Sequence, residues 1–198
     1  MCWPNPFSTQ GKFVRLVPLS QDHAEDLAKA AEDGEIYKLW FTSVPHPKSV
    51  PAEIERRLGL QKDGSMLPFA IVGKSSGKAV GMTTYMNIDA LNRRLEIGST
   101  WYRKAVQRSP FNTECKLLLL RHAFEELGCI AVEFRTHFMN RPSRAAIERL
   151  GAKLDGILRS HQLMEDGSLR DTVVYSIIAS EWPAVRANLE WQMEKPRS

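Results

Sequence analysis

Between residues 96 and 151 the chain holds a run of elements whose order suggests chemistry. A segment reading LEIGSTWY is followed by a polar loop, Gln107-Arg108-Ser109-Pro110-Phe111-Asn112, and then by a leucine-rich segment that opens with Thr113 and Glu114. The loop stands where a strand hands over to a helix. The first turn of a helix leaves backbone N–H groups without intrahelical acceptors, and the helix dipole adds partial positive charge, so such a junction suits an anion, phosphate above all. Arg93, Arg94, Arg103, Lys104 and Arg108 lie close by in sequence. They read either as a solvated basic face or as a device that steers a phosphate-bearing ligand.

Other chemistries find little support. The chain has no GxxxxGK[ST] or GxGxxG loop, no GxSxG and no HExxH, which leaves the familiar phosphate loops, nucleophile elbows and zinc helices without a candidate. Histidines are scattered, and Cys2, Cys115 and Cys129 fall at no metal-ligand spacing, so no metal site is expected. An odd number of cysteines suits reduced thiols in the cytoplasm, with Cys115 and Cys129 as small packing residues. The net charge of +4 lies wholly in the second half: residues 1–90 carry ten Lys/Arg against ten Asp/Glu, and residues 91–198 carry seventeen against thirteen. No stacking aromatics interleave with these basic residues, so a nucleic-acid partner is not expected. The start, MCWPNPFSTQGK, does not read as a signal peptide, and no apolar run approaches the roughly 18–20 residues needed to cross a membrane.

The elements that must position this chemistry follow from periodicity and punctuation. With 43% hydrophobic and 25% charged residues among 198, one core and a single domain over residues 1–198 are expected. A strand is expected at 12–19, a helix after Ser20, a short helix through Leu39 and Trp40, a Pro-rich loop holding His46, and a helix from Pro51. Strands follow at 67–73, 79–88 and 93–102, the last two antiparallel. Gly81 and Gly98 interrupt them, which points to bulges or close backbone approach. A deeply buried helix spans 112–127 and ends at Gly128; a strand at 130–138 has one polar face that includes His137. Asn140 caps a helix with Pro142 in its first turn. Asp166-Gly167 marks a hairpin between strands at 153–165, which holds His161, and 169–179, and Ser180 starts a last helix.

This series resembles the Gcn5-related N-acetyltransferase (GNAT) superfamily, closest to its RimJ/RimL type. The loop at 107–112 with Thr113-Glu114 stands where the family carries Gln/Arg-x-x-Gly-x-Gly/Ala. LEIGSTW is similar to its E-I-G-Y strand, Asn140-Arg141-Pro142-Ser143 to its N-x-x-S, and RAAIERLGA to the helix and glycine that follow. One departure is clear: Pro110 stands at the first glycine position and Asn112 at the second, so the cradle loses one N–H donor.

The resemblance implies an α/β (α+β) fold: a central mixed, mostly antiparallel sheet of about seven strands, helices on both faces, and a splay between the fourth and fifth strands. It also implies acetyl-CoA as co-substrate, with direct acetyl transfer to a primary amine in a ternary complex. The pantetheine arm would pair with Gly98, Thr100, Trp101 and Tyr102, with Asn140 bonding it from the far side. The pyrophosphate would rest on Gln107, Arg108, Ser109, Phe111, Asn112 and Thr113. Glu96 would be the general base and Ser143 the acid for the leaving thiolate; a surface strand glutamate or one ion-paired with the adjacent Arg94, and a helix cap, are the structural alternatives. Trp40 and Phe41 are candidates to line the amine pocket or simply to fill the core. The acceptor is a protein N-terminal amine or a small-molecule amine, and a homodimer is left open. The rival readings are a CoA-binding module that has lost catalysis, with Pro110 as its mark, and a basic nucleic-acid-binding protein.

Overall fold

A computed structural model of the chain describes residues 3–164 and 166–195. Its centre is one eight-stranded sheet of order β1-β2-β3-β4-β5-β6-β8-β7. The strands are β1 (Thr9–Gln10), β2 (Val14–Pro18), β3 (Met66–Gly73), β4 (Ala79–Asp89), β5 (Arg94–Tyr102), β6 (Ala131–His137), β7 (Lys153–Leu163) and β8 (Leu169–Ile178). Every neighbouring pair is antiparallel except β5 and β6, which are parallel. The two-residue β1 is too short to carry a periodic signal and was not expected. The strands expected as fourth and fifth are therefore β5 and β6.

Helices cover both faces. Helices α1 (Ala24–Glu32) and α2 (Val50–Lys62) bury Leu27, Ala30, Ala31, Val50 and Ile54 against Ala70, Met82 and Trp101 of the sheet. On the opposite face α3 (Phe111–Arg121) presents Leu117, Leu118, Leu119 and Leu120 to a larger core with Tyr85, Ile97 and Phe134. Full burial of each such leucine is worth about 1.5–3 kcal/mol, so α3 is the main anchor of that layer. The helix does not run to residue 127 as an α-helix. It becomes a π-helical turn at His122–Glu126, before Gly128 (φ 63°) turns the chain.

Two more helices complete this layer. Helix α4 (Arg141–Arg149) starts as expected, since Asn140 Oδ1 accepts from the Ser143 N–H at 3.1 Å. Helix α5 (Trp182–Glu194) packs Trp182, Val185 and Leu189 into the α3 core, and a 3₁₀ turn at Ala179–Glu181 precedes it. Cys115 and Cys129 are both buried and unpaired, as packing residues should be.

Candidate active site

The site begins where the parallel pair opens. β5 and β6 match over only three positions, Arg94↔Ala131, Leu95↔Val132 and Glu96↔Glu133. Beyond them, residues 97–102 and 134–137 continue as strands without pairing to each other. An unpaired strand edge exposes N–H and C=O groups that another extended backbone can complement. Glu96 is the last paired residue, so its carboxylate sits at the fork.

That carboxylate is only 4% exposed. Its Oε2 accepts from Asn87 Nδ2 at 2.6 Å, and Arg135 Nε lies 3.6 Å away. Burial raises the Glu96 pKa above the ordinary glutamate value, against the opposing pull of the Asn87 hydrogen bond and the Arg135 charge. Arg94 does not pair with Glu96. It bonds Glu133 at 2.7 Å, so the neighbour suggested by sequence is engaged elsewhere.

A bulge then bends β5. Thr84 pairs with Gly98 and Met82 with Trp101, so one residue of β4 faces two of β5, and Ser99 takes a positive φ of 47°. Arg57 of α2, 2% exposed, supports the bend: its Nη1 donates to Thr84 Oγ1 at 2.8 Å and to the Ser99 carbonyl at 3.5 Å, and Glu53 neutralises it at 2.7 Å. Both strand glycines have steric reasons. A Cβ at Gly81 would collide with the Trp101 carbonyl, and one at Gly98 would stand 2.6 Å from Glu96 Oε1. Glycine at 98 thus leaves room for the Glu96 side chain.

At the far end of β5 the loop to α3 is pinned in place. Arg103 Nε bonds Asp33 at 2.8 Å and the Ala105 N–H donates to the same carboxylate, so the Arg103 bond holds the Asp33 pKa below its ordinary value. Gln107 Nε2 donates to the Tyr102 carbonyl at 3.0 Å, and Arg108 adopts a positive φ of 59°. Pro110 is the N-cap, and Ser109 Oγ accepts weakly from the Phe111 N–H at 3.4 Å. Asn112 and Thr113 follow in the first turn, their amides aimed out of the helix end.

The basic rim is thinner than sequence proximity suggested. Arg93 and Arg94 lie at the opposite end of β5, about 26 Å from Tyr102 at the usual rise per residue. Arg103 is spent on Asp33. Lys104 and Arg108 remain exposed and make no ion pair among the described residues. Glu114, the helix's one first-turn acid, is structural: it accepts the N–H groups of Lys12, Phe13 and Val14 at 2.6–2.7 Å.

The end of β6 brings in the remaining candidates. The Asn140 N–H donates to the His137 carbonyl, and His137 Nδ1 accepts from the Met139 N–H at 3.0 Å. Asn140 spends its oxygen on the helix cap, which leaves its NH₂ free of any acceptor among the described residues. Ser143, half-buried, lies one residue past Pro142 in that first turn. Trp40 does not enter the core. It is 55% exposed, with its ring 5.0 Å from His137 and 5.6 Å from Phe41, at the mouth of the β6 end. His161, on β7, lies 3.1 Å from Thr172 Oγ1, and Thr172 is the residue of β8 that pairs with His137.

Sequence reasoning missed Asn87, Arg57, Arg135 and Lys116. The last had a visible signal, a lysine placed directly before four leucines on a helix buried all round. Its Nζ donates to Thr100 Oγ1 at 2.7 Å and lies 6.0 Å from the Phe134 ring centroid. It therefore touches both diverging strands from the α3 side.

A phosphate-bearing ligand with an extended amide arm fits this donor set. The helix end and two free cations would take the phosphates, and the unpaired edge of β5 would take the arm. No group of three or more metal-ligating side chains comes together among the described residues.

Comparison with known proteins agrees. The family profile "Acetyltransferase (GNAT) domain" matches residues 14–153. A Bacillus subtilis (strain 168) protein named "Putative ribosomal N-acetyltransferase YdaF" is 35% identical over 106 residues, a match spanning 54% of this chain and 57% of that protein. The "Uncharacterized N-acetyltransferase p20" of Bacillus licheniformis is 25% identical over 85% of this chain and 94% of its own length. Among solved structures, a GCN5-related N-acetyltransferase from Brucella melitensis superposes with a TM-score of 0.83 at 34% identity, covering 96% of this chain and 86% of that one. Mycobacterium smegmatis RimJ in complex with CoA-disulfide shares the fold, with a TM-score of 0.79 at 22% identity over 96% and 95%. The chain belongs to the GNAT family of N-acetyltransferases.

Proposed function

We propose that this protein transfers the acetyl group of acetyl-CoA directly to a primary amine, with Glu96 as general base. One observation carries the reading: a buried carboxylate with a raised pKa stands at the point where β5 and β6 stop pairing. The thioester arm would extend along residues 98–102, and its pyrophosphate would rest on the first turn of α3 with Arg108 and Lys104 beside it. The Pro110 site lacks one N–H, but Ser109, Asn112 and Thr113 still supply donors.

An ammonium with a pKa near roughly 10 must lose a proton before its nitrogen can attack a carbonyl. Glu96 would take that proton, directly or through water. The nitrogen then bonds to the acetyl carbon, and a backbone N–H of β5 stabilises the oxyanion that forms. As the C–S bond breaks, Ser143 gives its hydroxyl proton to the thiolate and regains one through water from the amide nitrogen, which sheds its second proton at this step. Trp40 and Phe41 would flank the incoming amine beside His137. The acceptor is a protein N-terminal amine or a small-molecule amine.

A free-thiol assay over a panel of small amines and short peptides tests this reading. Release of CoA that depends on one class of amine is expected. No acceleration by any amine, in a protein that binds acetyl-CoA, would reduce it to a CoA-binding module.

A further inference from the structure

Lys116 is a buried cation that the fold has not neutralised. It is 6% exposed, on a helix whose every residue from Thr113 to Leu120 is buried. An ammonium has three N–H donors. One goes to Thr100 Oγ1 at 2.7 Å, and Thr100 in turn lies 2.8 Å from Thr83 Oγ1. No carboxylate lies within ion-pair distance of Lys116 among the described residues, whereas buried Arg57 has Glu53 at 2.7 Å. Two donors of the Lys116 ammonium therefore have no protein acceptor among those residues. Burial lowers its pKa to about 8, with only weaker compensation from Cys115 and Glu96. A fold selected for stability alone would place an apolar side chain here, since an unpaired charge in the interior is costly.

The position explains the cost. Thr100 lies on β5 beyond the last paired residue, and Phe134 lies on β6 beyond its own. The ammonium thus reaches the floor of the wedge between the diverging strands, on the α3 side, with donors to spare. Glu96 approaches the same wedge from the sheet's fork. We propose that Lys116 is a ligand-binding residue of the cleft: its ammonium donates a hydrogen bond to an amide carbonyl of the pantetheine arm. This rests on the acetyl-CoA reading above. The chemistry selects an uncharged carbonyl acceptor, because Thr100 stands beside the arm rather than at the helix end where the phosphates would rest.

Calorimetric titration of the wild type and Lys116→Met with acetyl-CoA, CoA and 3′-phospho-ADP, together with thermal melts, tests this. A charge-assisted bond of ordinary strength corresponds to about ten- to a hundred-fold in affinity. Lys116→Met should therefore weaken acetyl-CoA and CoA by that factor. Binding of 3′-phospho-ADP, which lacks the arm, should stay within about two-fold, and the melting temperature should hold or rise. Equal affinity of both proteins for acetyl-CoA would overturn the assignment. So would an equal loss for 3′-phospho-ADP, or a lowered melting temperature with unchanged affinity, either of which marks a structural lysine. If Lys116→Met does not fold, Lys116→Gln keeps a neutral donor and should show a smaller loss, about three- to ten-fold, confined to the two ligands with the arm. Absence of wild-type binding to acetyl-CoA would instead overturn the functional reading itself.

Discussion

At the residue scale the chemistry rests on Glu96, a buried carboxylate at the point where β5 and β6 part. Asn87, nine residues earlier, and Arg135, on another strand, hold that carboxylate through the fold. Burial raises its pKa, and two consequences follow. A base must be deprotonated to act, so turnover should fall as pH drops through a value above the ordinary glutamate range, and Glu96→Gln should lower turnover on the order of 10²–10⁴-fold and flatten that limb. A carboxyl group whose pKa is higher folded than unfolded contributes stability below its unfolded value, which is lost as pH rises through the folded value. Glu96→Gln should therefore melt at a higher temperature than wild type at neutral pH, and the gap should shrink in acid. Parallel melts and pH–rate profiles check both; a less stable variant with an unchanged profile would make Glu96 structural. The type and strand position of Glu96 were legible in the sequence, as was the Asn140 cap, a local device, whereas Asn87 and Arg135 reach Glu96 only through the fold.

At the scale of elements, α3 joins fold and site. Its leucines were easy to read, but its end was not. The step to a π-helical turn at His122 coincides with that ring stacking on Phe7 at 3.6 Å, a tertiary contact with no local sequence signal. Glu114 binds three N–H groups at the start of β2, about a hundred residues away, and a side chain at Gly11 would collide with it. Glu114→Ala would leave those donors without their acceptor and should cost roughly 3 kcal/mol in denaturant unfolding. At the helix N-terminus, linear proximity misled, since a strand carries Arg93 and Arg94 away from the loop at about 3.3 Å per residue. Arg108→Ala and Lys104→Ala should each weaken CoA binding several-fold, more at low salt than at high, while Arg93→Ala should leave it unchanged. Titration at two ionic strengths separates these outcomes.

For the whole molecule, family resemblance implied a mixed, mostly antiparallel sheet with a splay between the fourth and fifth strands, whereas the strand order and the parallel β5–β6 pair came only with the fold. Periodicity marks strands one at a time and says nothing of which neighbours they choose. What the assembled fold adds to that expected splay is the placing of side chains around it, with Glu96 at its apex, Lys116 between the diverging strands, and the α3 N-terminus at its far end. Calorimetric titration of the wild-type protein with acetyl-CoA tests whether that fork holds the arm of a CoA thioester. One-to-one binding with a dissociation constant below roughly 50 μM is expected. No binding in that range, by a protein shown to be folded, would contradict the account.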